Sequence, residues 1–410
     1  MADLFDKFRT METRYAAMVE AAGADPLSMR VERIHSPTEA DVEGRRCVLL
    51  GSNNYLGLTF DENALAAAQD AVRANGTGTT GSRVANGSYA GHQALERQLA
   101  DFYGVARAIL FTTGYQANVG FISAIAGKGD TVLIDADCHA SIYDGCKLGD
   151  AEVMRFKHND AHDLDRRLRR LDEPGRALVI VEGIYSMLGD CAPLTEIAEV
   201  TTRHGAYLLV DEAHSLGVVG ETGRGVAQAQ GVEDKVDFTI GTFSKSVGTI
   251  GGFCVSNHAE LDMARFAARA YLFTASLPPS IVASASETIK RIQAEPELRE
   301  RVWRNTHTVY DGLRDLGFQV GPEKTPVIGV RMPSVEAGIG VWRTLLENGV
   351  YVNLALPPAT PQGVCLLRCS VCAAHTDAQL EHALEAFRRA VMVGGLETPV
   401  GEERVETTEV

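Results

Sequence analysis

Long apolar runs are missing from this sequence. No stretch reaches the ~18 consecutive apolar residues that a membrane-spanning helix requires, and the first residues lack the continuous apolar centre of a secretory signal peptide. Apolar residues recur there at helical spacing among charged ones: Leu4, Phe5, Phe8, Met11, Tyr15, Met18 and Val19. This spacing predicts an amphipathic helix that packs on protein. A weak contact of the helix with a membrane surface stays open, and we expect a cytoplasmic protein with no transmembrane segment.

Clusters of Lys and Arg are also missing. The formal net charge is −15 at pH 7, whereas a nucleic-acid partner requires grouped basic side chains against its phosphates. We therefore expect no nucleic-acid partner, and any anionic substrate must bind in a locally positive pocket. Internal repeats and low-complexity tracts are absent as well.

Cysteines are few and scattered, in a pattern that does not resemble the disulfide framework of a secreted protein. The eight positions are Cys47, Cys138, Cys146, Cys191, Cys254, Cys365, Cys369 and Cys372. The last two form a lone C-x-x-C inside the apolar run VCLLRCSVC, and no second pair stands at a metal-binding spacing. We predict reduced, buried thiols and no metal site.

Short apolar runs that alternate with helical patterns fill the middle of the chain. Between about residue 105 and 257 there are seven of them: ARAILFTTG, DTVLIDADCH, AEVMRFKHN, RALVIVEGIYS, AYLLVDEAHS, DFTIGTFSK and GGFCVSN. The alternation predicts an α/β fold, with a mostly parallel seven-stranded sheet covered by helices on both faces.

The length of 410 residues suggests two or three folding units. After Pro278 and Pro279 one long helical pattern covers residues 280–316, and four strand-like runs and a further helical pattern follow. We expect four segments: an N-terminal helix and lead-in over 1–55, a large domain over 56–295, a smaller α+β domain over 296–394, and a disordered acidic tail over 395–410.

A glycine-rich segment, Gly76 to Gly81, matches G-x-G-x-x-G, which is typical of dinucleotide-binding proteins. The true fingerprint follows a strand and opens a helix. This segment instead follows the helical pattern ENALAAAQDAVRAN and leads into a second glycine-rich turn, ANGSYAG. We therefore interpret it as an active-site loop or a structural turn.

Polar residues follow several of the predicted strands. The clusters are Asp137-Cys138-His139, Asp211-Glu212-Ala213-His214 and Ser244-Lys245. Ligands of open α/β sheets bind at the carboxyl ends of the strands, so we expect these side chains to converge there.

Lys245 and Asp211 are the two groups with the clearest chemistry. Lys245 stands among small residues in GTFSKSVG, which leaves room for a cofactor above its amine, and Asp211 ends an apolar strand, where a carboxylate is costly unless a cation meets it. Pyridoxal phosphate (PLP) needs a lysine for a Schiff base and a carboxylate against its ring nitrogen. Each residue also has a structural alternative: a solvated loop lysine and a helix N-cap.

The remaining parts of a PLP site have candidates too. Gly114 and Tyr115 close a strand where a helix would present backbone N–H groups to a phosphate, and Ser244 adds a hydroxyl. His214 is spaced to reach the phenolic oxygen of the ring, and His139 is placed to stack on its face.

Six motifs in order resemble the α-oxoamine synthases, which are fold-type I PLP enzymes: FTTGYQANVG, DCHASIYDGC, IYSMLGDCAPL, VDEAHSLGVVG, GTFSKSVGTIGG and YLFTASLPPS. The resemblance covers about residues 30 to 392. It implies a PLP-dependent transferase fold in which Lys245, His139 and Asp211 are catalytic. It also implies a cofactor site formed by Gly114, Tyr115, His139, Asp211, His214, Thr242, Ser244 and Lys245, completed by Thr274 and Ala275 of the neighbouring subunit in a homodimer with shared active sites.

The substrates follow from the same resemblance. SMLGD, NLALPPATP and LLRCSVCAAHT look most like the bacterial members that condense L-serine with a long-chain acyl-CoA, and Asn54, His139 and Arg368 match positions that bind the amino acid. Leu356 departs from the pattern, because an arginine is expected there. Two alternatives stay open: a sister synthase that uses glycine or alanine with another acyl thioester, and a non-catalytic subunit that scaffolds a partner.

Overall fold

The computed structural model describes residues 3–357 and 360–393, so the acidic tail predicted over 395–410 lies outside the described residues. Contacts divide the chain into two compact units. The larger unit is Asn53–Val302, and the smaller one combines the described residues of Met1–Ser52 and Trp303–Val410. Among the helices in these ranges, none has the length and apolar character needed to cross a membrane.

The amino-terminal part of the smaller unit contains one helix and three strands: α1 (Asp6–Ala22), β1 (Val31–Ser36), β2 (Glu39–Val42) and β3 (Arg45–Leu49). The predicted amphipathic helix is confirmed, and it ends at Gly23, which takes the left-handed φ of 69°. Met18 and Ala22 pack on the core of the unit, whereas Leu4 and Phe8 are exposed. Among the side chains described for α1, the expected packing on protein is found toward the carboxyl end of the helix.

The larger unit is built on the predicted sheet, and all seven apolar runs form strands. They are β4 (Arg107–Phe111), β5 (Thr131–Asp135), β6 (Glu152–Phe156), β7 (Ala177–Glu182), β8 (Tyr207–Asp211), β9 (Phe238–Thr242) and β10 (Gly252–Ser256). Their order is β4-β10-β9-β8-β7-β5-β6, and only β10 runs antiparallel to its neighbours among these strands. The prediction of a mostly parallel seven-stranded sheet is confirmed.

Helices cover this sheet, and every residue of the interior strand β7 is buried, as expected of a parallel sheet between two helical layers. They are α2 (Glu62–Asn75), α3 (Ala90–Tyr103), α4 (Gly114–Ile125), α5 (Ala140–Leu148), α6 (Ala161–Leu168), α7 (Leu194–His204), α8 (Val226–Ala229), α9 (Leu261–Ala267) and α10 (Arg269–Leu272). The segment Gly76 to Gly81 follows α2 and opens no helix, so the nucleotide-binding interpretation stays discarded.

The single helical pattern predicted over 280–316 forms two helices, α11 (Pro279–Ala294) and α12 (Glu297–Asp315). The break lies at Glu295, whose φ of −120° and ψ of 78° are not helical. Pro296 explains it, because proline disfavours a helical conformation of the residue before it and donates no backbone hydrogen bond. The boundary between the two units falls within α12.

The carboxyl-terminal part of the smaller unit adds strands and helices: β11 (Gln319–Val320), β12 (Val327–Met332), α13 (Val335–Glu347), β13 (Val350–Tyr351), β14 (Asn353–Ala355), β15 (Cys365–Ser370) and α14 (Asp377–Ala390). Four of the strands form an antiparallel sheet in the order β11-β12-β15-β14, and β13 pairs in parallel with β3. Sequence analysis did not identify β1–β3 or α13. Cys369 and Cys372 are buried thiols, as predicted, and burial raises the pKa of Cys369 to about 12.

Candidate active site

The carboxyl ends of β7, β8 and β9 and the first turn of α4 surround a cavity of about 300 Å³ in the larger unit. Eight residues that the sequence singled out line it: Gly114, Tyr115, His139, Asp211, His214, Thr242, Ser244 and Lys245. They come from four separate segments of the chain. The topology of the parallel sheet brings them together, because parallel strands all end at the same edge.

Asp211 is the last residue of β8 and only 4% exposed. It accepts hydrogen bonds from two neutral groups, the Asn118 side-chain amide at 2.7 Å and the Ala213 backbone N–H at 2.9 Å. Neutral donors stabilise a buried carboxylate without cancelling its charge. No α-helix begins at Asp211, since the next one along this described stretch is α8, so the N-cap alternative is wrong.

A hydrogen-bonded chain joins Asp211 to His139. The Asn118 amide also donates to Ser141 Oγ at 3.0 Å, and Ser141 Oγ lies 2.8 Å from His139 Nδ1. Ser141 N donates to the same ring nitrogen at 3.2 Å, which makes His139 the N-cap of α5. Desolvation by the surrounding protein lowers the pKa of His139, although the charge of Asp211 opposes it. The result is a neutral imidazole held in one orientation at the cavity.

Glu182, the last residue of β7, lies beside Asp211 in the parallel register. Its carboxyl accepts a hydrogen bond from the backbone N–H of His139. Burial raises the pKa of Glu182 well above its usual value, and the neighbouring charge of Asp211 raises it further. The Glu182 carboxyl thus fixes the backbone of His139, while burial and the charge of Asp211 both favour its protonated form.

His214 lies on the turn after β8 and is 5% exposed. Its Nδ1 is 2.7 Å from the hydroxyl of Tyr55, a fully buried residue from the segment that precedes α2. The two rings are tilted by 58°. One ring nitrogen of His214 is thus held by Tyr55 while the residue contributes to the cavity wall.

The first turn of α4 faces the end of β9. Thr113 caps the helix by accepting from Gln116 N at 3.0 Å, and the N–H groups of a first helical turn have no carbonyl of their own helix to bind. A Cβ on Gly114 would lie 2.8 Å from Thr242 Oγ1, so only glycine allows this approach. Thr242 Oγ1 is in turn 2.8 Å from Ser244 Oγ. Backbone N–H groups and hydroxyls together suit a bound phosphate.

These residues fit PLP chemically. Lys245 supplies an amine in the loop after β9, Asp211 a buried anion, and the region of Gly114 and Ser244 a set of neutral donors for a phosphate. The space that Gly114 leaves beside Thr242 is one that a Cβ would fill. These groups thus match the aldehyde, the ring nitrogen and the phosphate of the cofactor.

Four residues from the sequence prediction do not line this cavity. Thr274 and Ala275 follow α10, and Thr274 Oγ1 accepts from the Gln116 side chain at 3.3 Å. Asn54 donates to Thr59 Oγ1 at 2.9 Å, and its own Oδ1 is buried without a hydrogen-bond partner in the described part of the chain.

Arg368 belongs to the smaller unit, where it lies on β15, is 7% exposed and donates to Ser370 Oγ at 2.9 Å. Leu356 is in the same unit and packs, partly buried, against its apolar core.

Sequence analysis missed Asn118, Ser141, Glu182 and Tyr55. For Asn118 a signal existed: it is a polar residue among the buried residues of α4, beside Ala117 and Val119. Glu182 likewise ends a continuous apolar run, as Asp211 does. Nothing local distinguishes Ser141 or Tyr55, because their roles depend on partners far along the chain.

A second group of acidic and histidine side chains lies at the end of β5, and we name it the histidine clamp: Asp135, His158 and Asp190. His158 Nδ1 is 2.8 Å from Asp135 Oδ1, and Nε2 is 2.6 Å from Asp190 Oδ2. Burial alone would lower the pKa of His158, but the hydrogen bonds and charges of both carboxylates outweigh it and raise the pKa to about 10. His158 is therefore a cation that ties two buried carboxylates together.

Comparisons with known proteins identify the family of the chain. The family model for aminotransferase class I and II matches residues 45–387. The chain is 57% identical over 385 residues to the serine palmitoyltransferase of Caulobacter vibrioides, covering 94% of this chain and 95% of the relative. It is 49% identical over 390 residues to that of Sphingomonas paucimobilis, covering 95% and 93%. A solved S. paucimobilis serine palmitoyltransferase structure with bound PLP-myriocin aldimine has a TM-score of 0.94 at 48% identity, covering 96% of this chain and 100% of that chain.

Proposed function

The chain belongs to the aminotransferase class I and II family and, within it, to the α-oxoamine synthases of fold-type I, and we propose that it catalyses the serine palmitoyltransferase reaction. L-serine loses its carboxylate as CO₂ and is joined to the acyl group of palmitoyl-CoA, which gives 3-ketodihydrosphingosine and CoA. The observation that carries this proposal is the identity of 57% over nearly the whole chain to a serine palmitoyltransferase.

PLP, when bound, supplies an electron sink for the bonds at the Cα atom of an amino acid. Lys245 would hold the cofactor through its amine and then act as general base on the Cα proton of serine. Asp211 would place its negative charge against the ring nitrogen and keep that nitrogen protonated. His139, fixed by Ser141 and Glu182, would pack on the ring and contact the serine carboxylate.

The phosphate would be bound by Gly114, Tyr115, Thr242 and Ser244. Asn54 would help to orient the amino acid, and its buried Oδ1 without a partner in the described residues supports a role in binding a polar ligand. Orientation matters because the bond that breaks at Cα is the one held perpendicular to the ring.

We propose a homodimer in which Thr274 and Ala275 complete the phosphate site of the neighbouring subunit. Their position off the cavity of their own chain supports this arrangement. Chains with Lys245→Ala and chains with a defective Thr274 should then regain activity as mixed dimers, in the proportion that random pairing sets. A fully active monomer would contradict the proposal. The cytoplasmic location and the absence of a nucleic-acid partner stay predictions.

Arg368 is our proposed anchor for the serine carboxylate, because Leu356 cannot supply the second guanidinium that the resemblance implies. Arg presents a planar fork that matches a carboxylate, whereas Lys offers a point charge. Arg368→Lys should raise the serine dissociation constant roughly 10-fold, measured by titrating the visible absorption of the PLP-loaded protein. Leu356→Arg should recover part of the loss in that background. If the serine affinity of Arg368→Lys is unchanged, Arg368 is structural.

The proposed function is tested by mass spectrometry of products formed from mixed amino acids and mixed acyl-CoAs. We expect the product of serine and a C16 acyl chain to dominate, and the Lys245→Ala control to form no product and no borohydride-reducible PLP adduct. A dominant glycine or alanine product would identify a sister synthase. No product together with no PLP binding would identify a non-catalytic subunit.

A further inference from the structure

The environment of His214 shows which ring nitrogen carries its hydrogen. A neutral imidazole has one N–H and one acceptor nitrogen, and the partner of one nitrogen fixes the role of the other. The Tyr55 hydroxyl lies 2.7 Å from Nδ1 of His214, and both residues are almost entirely buried. The direction of this hydrogen bond therefore bears on which ring nitrogen of His214 carries the hydrogen.

Two partners compete for the one hydroxyl hydrogen of Tyr55. Asn53 Oδ1 is 3.2 Å away and His214 Nδ1 is 2.7 Å away. A distance of about 2.7 Å is typical of a hydroxyl donor, whereas bonds from N–H donors centre on about 2.9 to 3.0 Å. The imidazole nitrogen is also a better acceptor than a phenolic oxygen. Both arguments favour a bond from the Tyr55 hydroxyl to His214 Nδ1.

We propose that Tyr55 is a positioning residue that selects the Nε2–H form of His214, so that this histidine acts as a hydrogen-bond donor to the ring oxygen of the cofactor. The inference rests on the proposed function, since it assumes that His214 meets PLP. An ionised ring oxygen is an acceptor only, and a ring held with Nε2 unprotonated would repel it. Tyr55 thus prepares the cavity for the ionised form before the cofactor arrives.

Burial makes this selection effective. Tyr55 is 0% exposed, so water does not replace its hydroxyl when the side chain is shortened to phenylalanine. His214 would then lose the group that selects the Nε2–H form, and the two neutral forms would mix. The fold should persist, because Tyr55→Phe keeps the ring and removes a single oxygen.

The first measurement uses the protein without cofactor. Nitrogen-15 NMR of the histidine-labelled chain, with His214 assigned by comparison with His214→Asn, should show the Nε2–H form in the wild type and a mixture in Tyr55→Phe. A wild-type spectrum with the hydrogen on Nδ1 would overturn the proposal, whether or not the Tyr55 variant folds.

The second measurement uses the PLP-loaded protein. Tyr55→Phe should raise the PLP dissociation constant roughly 3- to 10-fold and move the pH midpoint of the visible cofactor absorption about 0.7 pH unit upward, because a donor to the ionised oxygen is lost. In a His214→Asn background the same change should have no further effect on that midpoint. Tyr310→Phe is the matched control, since its hydroxyl also makes a 2.7 Å bond, to Gly321 O in the smaller unit.

The outcomes separate this proposal from the proposed function. If the wild type forms no visible PLP adduct, the proposed function fails. If the wild type binds PLP but Tyr55→Phe matches Tyr310→Phe in affinity and in pH midpoint, only the role of Tyr55 is wrong. An additive effect of Tyr55→Phe on the pH midpoint in the His214→Asn background would also contradict the role of Tyr55, because Tyr55 would then act independently of His214.

Discussion

Asp211 and Asp135 end two strands of the same sheet, and each has histidines nearby, yet their surroundings differ. Asp135 is fully buried and pairs with His158, whose second nitrogen meets Asp190. Asp211 accepts from neutral donors and lines a cavity. In the histidine clamp the protein supplies the cation itself, whereas the hydrogen-bond donors described for Asp211 are neutral groups. Both sites use an aspartate at a strand end. They differ in the charge of the groups that donate hydrogen bonds to it.

Removing the charge of Asp211 should have the largest effect of the changes considered for these two aspartates. Asp211→Asn keeps the shape of the side chain, so we expect an intact fold, and a rate of product formation reduced on the order of 10²- to 10³-fold because an oriented charge is lost. Stopped-flow kinetics with far-UV circular dichroism checks both expectations. Asp190→Asn is the matched control, and it should lose stability rather than chemistry. A near-normal rate for Asp211→Asn would make that carboxylate structural too.

Loss of the histidine from the clamp should lower the stability of the fold rather than the rate of product formation. His158→Gln leaves two buried carboxylates without their cation, and the free energy of unfolding should fall by about 3 kcal/mol. His258→Gln is the control: it pairs with one carboxylate, Asp237, and is more exposed, so it should cost at most about 1 kcal/mol. Urea unfolding measures both values. Equal losses of unfolding free energy in the two variants would show that the clamp stabilises the fold no more than an exposed ion pair does.

The stability that the clamp contributes should also depend on pH. The pKa of His158 rises from 6.5 to about 10 on folding, so His158 binds its proton more tightly in the folded state. This stabilisation is fully present below pH 6.5 and is lost as the pH rises toward 10. The difference in unfolding free energy between wild type and His158→Gln should therefore be largest near the lower pH and shrink toward the higher one. A difference that grows with pH would mean that His158 is neutral.

Much of the active site could be predicted because its signals are local. Asp211, His214, Ser244 and Lys245 each follow an apolar run, and the rule that strand ends converge then placed them on one cavity. Asn118 and Ser141 were missed since their hydrogen bonds connect positions 93 and 23 residues apart in sequence, and no local pattern encodes such pairs.

The fold shows the same division. Apolar runs predicted all seven strands of the large sheet, and interior strands such as β7 are apolar because both of their faces are buried. The strands β1 to β3 were missed: β1 is exposed or half-buried along its length, so its sequence carries no continuous apolar run. The pairing of β13 with β3 joins segments about 300 residues apart, which a pattern read along the chain does not reveal.

Local patterns in the sequence were enough to predict the candidate site residues: a lysine among small residues, a carboxylate and histidines at strand ends, and glycine where a helix begins. The residue types at these positions are set locally, by burial and by backbone geometry. Only the tertiary structure decided how each group is charged and oriented. Asn118 donates to Asp211, burial raises the pKa of Glu182 beside it, and His158 is a cation between two carboxylates. Protonation and orientation depend on which atoms surround a group in space, and folding alone brings those atoms together.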